Sequence, residues 1–256
     1  MASRRRLDTE LVRRGNATSR SQAQSLIDEG RVRVSGSIAD KPSRLVAPDE
    51  PLEIIGPPSQ YVGRGAEKLL AAFDRWPELV EITNGSQAVD CGASTGGFTD
   101  CLLQHGARHV VAIDVGRNQL HERLRRDPRV TSREQTDIRG VVTDEVGGPF
   151  DLLVADLSFI SLRSVVTALV GLCKPSVPMV LLVKPQFEAG RRAASVGRGV
   201  IRDDGVRAEA LSSVVDAYTA VGCTISDSID SPVHGAQGNR EYLLLLRSPE
   251  RMGERC

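Results

Sequence analysis

The 256-residue chain lacks long hydrophobic runs and has few aromatic residues, at 4%. Its longest apolar runs, such as VVTALVGLC (165–173), are far shorter than the roughly 20 residues that a membrane-spanning helix needs. No apolar stretch follows the basic N-terminal residues, so the sequence shows no signal-peptide pattern. We therefore expect a cytoplasmic protein without a membrane span.

Paired cysteines are also missing. The five cysteines are odd in number, widely spaced and without a CxxC pair, which favours reduced thiols. Cys101, His105 and His109 recur every four residues, but Gly106 is expected to end the helix after His105 and to break that face. We therefore predict no metal site.

Charge is balanced over the whole chain but not along it. Residues 1–34 carry eight arginines against four acidic residues, whereas the chain as a whole has 33 basic and 33 acidic residues. A basic front on a neutral body suggests an anionic partner held by the N-terminal part. The alternative is an ordinary solvated charged face.

The basic N-terminal part is predicted to form a small α+β unit. Two short helices are expected around residues 7–12 and 23–27, and the strand RVRVSG alternates so that Val32 and Val34 point inward. The strings RLDTELVRRG, SRSQAQSLIDEGRVRVSG and PDEPLEI closely resemble the S4 RNA-binding domain. We assign RNA contacts to Arg4, Arg6, Arg20, Arg31 and Arg33, reading RNA shape and backbone because aromatics are scarce.

The remainder alternates apolar strands with helices. Strands are predicted at 88–91, 109–114, 151–156 and 179–184, which indicates an α/β fold with a mostly parallel sheet covered by helices on both faces. We expect an S4-like domain at 1–58, a linker at 59–64, a second domain at 65–248 and a tail at 249–256. Ligands of such sheets collect at the carboxyl ends of strands, where several polar residues lie.

The turn DCGASTGGFTD (90–100) allows three interpretations. Ser94 stands where a dinucleotide fingerprint needs its second glycine, which disfavours hydride transfer. The same letters fit the G-x-S-x-G turn of serine hydrolases, with Asp156 or Asp204 and then His234 following in order. The third interpretation is an S-adenosylmethionine site, in which glycines admit the ligand and Asp114 holds its ribose. Asp137 would then accept from the adenine amino group. The residues proposed to bind this cofactor are Asp90, Gly92, Ser94, Gly96, Gly97, Phe98, Asp114, Asp137 and Asp156.

Several further strings extend the resemblance over residues 6 to 247. They are GRGAEKL, DCGASTGGFTDCLL, VADLSFISL, VKPQFEAG, GRGVIRD and SPVHGAQGNREYLLLL. With them the chain resembles the TlyA/haemolysin-A family, in which an S4 domain precedes an FtsJ-type, Rossmann-like methyltransferase domain. The resemblance implies S-adenosylmethionine-dependent 2′-O-methylation of ribosomal RNA, at cytidines of the 16S or 23S molecule. It also implies a catalytic tetrad of Lys68, Asp156, Lys184 and Glu241.

The chemistry of a ribose 2′-hydroxyl explains such a mixture of charges. The hydroxyl is a poor nucleophile at neutral pH, and a lysine can act as its base only when its pKa falls by about two or three units from roughly 10.4. We assign Lys184 as the base, or as the cation that stabilises the alkoxide, and Lys68 as its partner. Asp156 and Glu241 would orient the two amines.

Two rivals stay open from the sequence: an esterase that uses Ser94, and a non-catalytic factor that binds RNA during ribosome assembly. For the methyltransferase we expect ribosomal RNA or ribosomal subunits as partners, no metal, and action as a monomer.

Removing both Arg31 and Arg33 is expected to weaken RNA binding and to flatten its salt dependence, because fewer phosphates are neutralised. Cofactor affinity should not change. Titrations with RNA at several salt concentrations, beside calorimetric titration with the cofactor, measure both quantities. Equal losses of RNA and cofactor affinity would contradict this division of labour.

Overall fold

The computed structural model describes residues 4–17, 20–28, 30–56, 60–190, 199–235 and 238–250, except for the side chains of residues 21, 25 and 28. Internal contacts divide the chain into two compact units, Met1–Arg64 and Gly65–Cys256. Most of the predicted tail, residues 251–256, and residue 59 of the predicted linker lie outside the described residues.

The N-terminal unit packs two helices beside short strands. Its elements are β1 (Arg5–Arg6), α1 (Leu7–Arg13), α2 (Arg20–Asp28), β2 (Val32–Val34), β3 (Ser37–Ile38), β4 (Leu45–Val46) and β5 (Leu52–Ile54). The strands β3, β2 and β5 form one antiparallel sheet, and β1 pairs with β4. Val32 and Val34 are fully buried and Arg33 is exposed, as the alternation predicts.

A buried carboxylate organises the arginines of this unit. Asp8 accepts hydrogen bonds from Arg6 at 2.9 Å, Arg20 at 3.0 Å and Gln24 at 3.0 Å. Burial alone would raise the pKa of Asp8, but these donors outweigh it and lower the pKa. Two of the predicted RNA contacts, Arg6 and Arg20, are thereby held together, while Arg31 donates to the carbonyl oxygen of Ile55.

The second unit is built on a seven-stranded sheet. Its strands are β6 (Gln87–Cys91), β7 (His109–Ile113), β8 (Val130–Arg133), β9 (Leu152–Ala155), β10 (Pro178–Val183), β11 (Thr224–Asp230) and β12 (Tyr242–Arg247). They lie in the order β11-β12-β10-β9-β6-β7-β8. The five strands from β10 to β8 run parallel, and β12 and β11 are antiparallel additions at one side.

Helices accompany these strands. They are α3 (Gly65–Arg75), α4 (Glu78–Thr83), α5 (Gly97–Gln104), α6 (Glu122–Arg125), α7 (Val166–Gly171), α8 (Pro185–Glu188) and α9 (Asp204–Ala220). Short 3-10 turns cover Ile138–Gly140, Asp144–Val146 and Leu162–Val165. No helix in the part of the chain that the structure describes is long and apolar enough to cross a membrane.

The strand order places a switch point between β6 and β9. The chain runs from β6 outward through β7 and β8, and then returns to the other side of β6 as β9. Connections therefore leave these two neighbouring strands in opposite directions, which opens a crevice at their carboxyl ends. Cys91 pairs with Ala155 at that end, so residues 92 and 156 face the crevice.

The structure adds elements that the sequence pattern did not indicate. Strand β11 alternates exposed and half-buried residues and is largely polar, as befits the edge of a sheet. Helix α9 was not anticipated, and the charged stretch 117–129 forms only the short helix α6. The predicted parallel core strands are confirmed, with ends shifted by one residue.

Candidate active site

Four charged residues from distant parts of the sequence meet at the carboxyl edge of the sheet. Lys68 lies in the first turn of α3, Asp156 follows β9, Lys184 follows β10 and Glu241 precedes β12. Because β9, β10 and β12 are adjacent, the ends of these strands converge. Lys68 reaches them from a helix whose Leu69 is fully buried.

The four side chains form one continuous ion-pair chain. Lys184 Nζ lies 2.5 Å from Asp156 Oδ1, and Lys68 Nζ lies 3.4 Å from Asp156 Oδ2. Lys68 Nζ also donates to Glu241 Oε2 at 2.8 Å. Lys68, Lys184 and Glu241 are buried, at 8%, 7% and 2% exposure. Two cations and two anions thus neutralise each other away from solvent.

The neighbouring charges keep Lys68 and Asp156 ionised. Burial would lower the pKa of Lys68, but the charges of Asp156 and Glu241 outweigh burial and raise the pKa. Burial would likewise raise the pKa of Asp156, but Lys184 and Lys68 outweigh it and lower the pKa. Lys68 is therefore a fixed cation, whereas Lys184 has one carboxylate and the hydroxyl of Ser158, at 2.7 Å, as partners.

The glycine-rich turn after β6 lies against the loop after β9. Gly92 has φ +86°, and a Cβ there would lie 2.6 Å from the carbonyl oxygen of Asp156. Any side chain would push these two loops apart, so glycine at this position is a packing requirement. Ser94 also has a positive φ, at 47°, and its backbone N–H donates to Asp114 Oδ2 at 2.8 Å.

A cavity of about 490 Å³ opens at this switch point. Of the residues predicted to bind a cofactor, those that line it are Gly92, Ser94, Asp114, Asp137 and Asp156. Its volume is in the range of small-molecule sites. The tetrad and the cavity share Asp156, so a ligand in the cavity lies beside the ion-pair chain.

The two outer carboxylates of the cavity differ in their surroundings. Asp114 follows β7 and accepts the backbone N–H groups of Ser94 at 2.8 Å and Gly116 at 2.6 Å, which fixes its orientation. Asp137 is paired with the guanidinium of Arg139. Hydrogen bonds from Arg139 lower the pKa of Asp137 to about 2.

The other four residues predicted to bind the cofactor do not line the cavity; they pack within the glycine-rich turn after β6 and against its neighbours. Asp90 is fully buried and accepts from Thr99 Oγ1 at 2.7 Å. Gly96 faces Leu124, Gly97 faces the backbone of α3, and Phe98 is buried.

Three residues that the structure places at the site had no predicted role from the sequence patterns. Ser158 Oγ accepts a hydrogen bond from Lys184 Nζ, and Gln186 Nε2 approaches Glu241 Oε1 at 3.4 Å. Phe159 lines the cavity, is 92% exposed and has φ +65°. Exposure and strained backbone in a large aromatic residue are typical of functional positions. Ser158 and Phe159 lie in VADLSFISL, and Gln186 lies in VKPQFEAG. Both strings resemble the family, but the sequence gives no chemical reason to assign a role to these three residues.

The hydrolase arrangement lacks support from geometry. Ser94 makes no side-chain hydrogen bond with a histidine among the described residues. Asp204 lies in the first turn of α9, where it pairs with Arg207. No group of metal-ligating side chains occurs within the described ranges, and His109 Nε2 instead contacts Thr131 Oγ1 at 3.0 Å.

Comparisons with known proteins agree with this architecture. The sequence pattern of the FtsJ-like methyltransferase family matches residues 61–248, and that of the S4 domain matches residues 5–52. A Mycobacterium tuberculosis protein named 16S/23S rRNA (cytidine-2'-O)-methyltransferase TlyA is 45% identical, over 97% of this chain and 91% of that protein. Hemolysin A of Brachyspira hyodysenteriae is 38% identical, over 93% of this chain and 98% of that protein.

Solved structures lead to the same class. A chain of the hemolysin group from Streptococcus thermophilus matches with a TM-score of 0.76 at 34% identity, covering 98% of this chain and 90% of that one. The fold and the site define an enzyme of the α/β methyltransferase class, preceded by an S4 domain. The chain belongs to the FtsJ-like methyltransferase family, within its TlyA/haemolysin-A group.

Gly97→Ala is expected to lower the free energy of unfolding by about 1–3 kcal/mol, as for other overpacked contacts. A Cβ at Gly97 would lie 2.8 Å from the backbone nitrogen of Ala66 and 3.0 Å from Gly65 Cα, so α3 must shift. Thermal or denaturant unfolding measures this loss.

Gly65→Ala is the matched control on the other side of the same contact, because its Cβ would lie 3.7 Å from Gly97 Cα, an ordinary distance. It should unfold like the unaltered protein. Equal stability of the two alanine variants would show that α3 and α5 are not closely packed.

Asp90→Asn is expected to become more stable relative to the unaltered protein as pH rises from about 4 to about 8. Burial raises the pKa of Asp90 to about 7, so the folded protein holds this carboxyl neutral below about pH 7. A raised pKa contributes stability below the unfolded value, near 4, and that stability is lost as pH rises through 7. The amide is neutral throughout.

Unfolding midpoints of both proteins across this pH range measure the difference, which should level off above pH 8. The exposed Asp74→Asn substitution controls for a general effect of amide substitution. A constant difference between Asp90→Asn and the unaltered protein would mean that Asp90 is ionised throughout.

Proposed function

We propose that the protein transfers a methyl group from S-adenosylmethionine to a ribose 2′-hydroxyl of ribosomal RNA. The observation that carries this proposal is the contact of Lys68, Asp156, Lys184 and Glu241 in one ion-pair chain beside the cavity that Gly92 and Asp156 line. This set combines amines for a proton and an alkoxide with a neighbouring site for a donor.

The cavity fits the donor in shape and chemistry. Gly92 lines the cavity and has no side chain, so a ligand's amino-acid end can approach its backbone closely. Asp114 is fixed by two backbone N–H groups and keeps lone pairs for ribose hydroxyls. Asp137 can accept from an adenine amino group while it is paired with Arg139. Bound there, S-adenosylmethionine supplies an electrophilic methyl group on a cationic sulfur.

The residues of the chain divide the remaining work. Lys68, whose pKa is raised, stays protonated and bridges Asp156 and Glu241, which fixes both carboxylates. Lys184 is positioned by Asp156 and Ser158, and it takes the hydroxyl proton or stabilises the developing alkoxide. Positioning of the hydroxyl in line with the methyl group adds to the rate.

The substrate assignment rests on the S4 domain and on relatives. The S4 match at residues 5–52 supports an RNA-binding role for the N-terminal unit, and we assign the RNA contacts to its arginines. The Mycobacterium tuberculosis relative is named for cytidine in 16S and 23S ribosomal RNA, and we propose the same nucleotide for this protein. We propose a cytoplasmic monomer with domains at 1–58 and 65–248 and a linker at 59–64.

Lys184→Ala is expected to reduce methyl transfer roughly 10²–10⁴-fold, the usual contribution of a general acid or base. Purified protein is incubated with radiolabelled S-adenosylmethionine and ribosomal subunits that lack the modification, and the labelled nucleotide is mapped. Lys184→Arg separates the two roles, because arginine keeps the charge but cannot deprotonate. An active arginine variant would indicate a cation, and an inactive one a base.

Lys174→Ala is the matched control. Lys174 precedes β10 and pairs with Asp151 at 2.6 Å. Its substitution by alanine therefore removes an ion-paired amine, as Lys184→Ala does, but at the opposite end of the same strand. It should transfer methyl groups at the normal rate. An esterase would instead hydrolyse esters, tolerate Lys184→Ala and lose activity in Ser94→Ala, and that result would overturn the proposal.

A further inference from the structure

A second cavity, of about 470 Å³, lies beside the N-terminal end of α9. Residues from two segments line it, and its charged side chains are Arg202, Asp204, Arg207 and Arg240. Three guanidinium groups therefore share a small space with one carboxylate. None of these residues has a part in the chemistry described above.

A buried asparagine fixes the two walls of this cavity. Asn239 is 3% exposed, and its Nδ2 donates to the carbonyl oxygen of Gly199 at 2.8 Å. Its Oδ1 accepts from the backbone N–H of Ile201 at 3.0 Å. The segment with Arg202 is thereby held against the segment with Arg240, so the cavity is a built feature of the fold.

One of the three arginines is committed to the structure. Arg207 is 6% exposed and donates to the carbonyl oxygens of Ile201 at 3.1 Å and Arg202 at 2.9 Å. It also pairs with Asp204, which neutralises its charge. Asp203 does not line the cavity, because its carboxylate caps α9 through the backbone N–H of Val206.

The other two arginines are not held by contacts of this kind. Arg202 and Arg240 are exposed, and their side chains make no hydrogen bond or ion pair with any residue that the structure describes. By contrast, Arg139 is paired with Asp137 and Arg163 with Glu188. Two guanidinium groups around one cavity repel each other and favour an anion between them, and planar guanidinium donors suit phosphate oxygens.

One wall of this cavity is adjacent in sequence to the tetrad. Arg240 immediately precedes Glu241, at the end of β12 where Tyr242 pairs with Val183. Every internal ribose carries a phosphodiester on the carbon next to its 2′-hydroxyl. An RNA strand that brings that hydroxyl to Lys184 therefore brings phosphates to the same edge of the sheet.

We propose that Arg202 and Arg240 bind a backbone phosphate of the substrate RNA close to the methylated nucleotide. This inference rests on the proposed function, since it places an RNA strand at the tetrad. The site reads no base, because guanidinium contacts to phosphate carry no sequence information. This phosphate site would give the second unit an RNA contact of its own, in addition to the contacts that the S4 domain makes.

The test compares the full-length protein with Arg202→Ala/Arg240→Ala. Labelled ribosomal RNA is titrated at several salt concentrations, and methyl transfer to ribosomal subunits is measured with saturating S-adenosylmethionine. The double variant should bind RNA roughly tenfold more weakly, with a salt slope smaller by about 0.7 for each lost contact to single-stranded RNA. KM for RNA should rise by a similar factor, and kcat should change less than threefold.

Arg247→Ala provides the matched control. Arg247 is the last residue of the same strand, at the far edge of the sheet, where it pairs with Pro178 and donates to the carbonyl oxygen of Ser176. It removes one positive charge from the same unit and should leave the salt slope unchanged. Arg202→Lys/Arg240→Lys should retain most of the affinity, because the charge is kept. Unchanged unfolding midpoints and cofactor affinity verify that each variant folds.

The outcomes separate this inference from the proposed function. If the double alanine variant keeps the RNA affinity and salt slope of the unaltered protein, the phosphate site is wrong, whether or not the protein methylates RNA. The same holds if Arg247→Ala loses as much. If the unaltered protein transfers no methyl group to RNA, the proposed function fails, and the binding titrations still decide whether these arginines contact RNA.

Discussion

The structure of the second unit depends on the mutual neutralisation of two buried amines by one buried and one half-buried carboxylate. Each charge alone would be costly to remove from water, and the set is tolerable because Lys68 and Lys184 are matched by Asp156 and Glu241. The partners come from α3 and from the ends of β9, β10 and β12. The sheet must therefore bring these ends together before any of the charges is compensated, which couples the strand order directly to the site.

Close backbone contacts make room for this network. Gly92 lets the turn after β6 touch the loop of Asp156, and Gly97 lets α5 touch α3, the helix that carries Lys68. The switch point between β6 and β9 supplies the cavity, and the two glycines decide how near its walls approach the ion pairs. The position of Lys68 thus depends on Gly97, 29 residues later in the sequence, where a side chain would push α3 away.

The regular alternation of apolar strands and helices made the fold predictable, and the family strings indicated the four charged residues that the structure brings together. Short apolar strands ending in Asp156 and Lys184 indicated a parallel sheet with charges at one edge, and the family strings supplied Lys68 and Glu241. Strand β11 was not predicted, because it lies at the edge of the sheet and its residues are mostly polar, with few apolar ones between them. The contacts of Ser158 and the support role of Gly97 depend on distances between elements, and no single-sequence pattern encodes such distances.

The two lysines of the tetrad differ in their surroundings. Lys68 contacts two carboxylates, at 2.8 Å from Glu241 and 3.4 Å from Asp156, so its proton is held by both. Lys184 contacts one carboxylate, which it shares with Lys68, and the uncharged hydroxyl of Ser158. A cationic donor beside Asp156 would draw on that shared carboxylate and weaken its hold on Lys184 more than on Lys68, because Glu241 remains with Lys68. Under the proposed function, binding of the methyl donor would therefore act on Lys184, the amine assigned to the ribose hydroxyl, and would leave Lys68 in place.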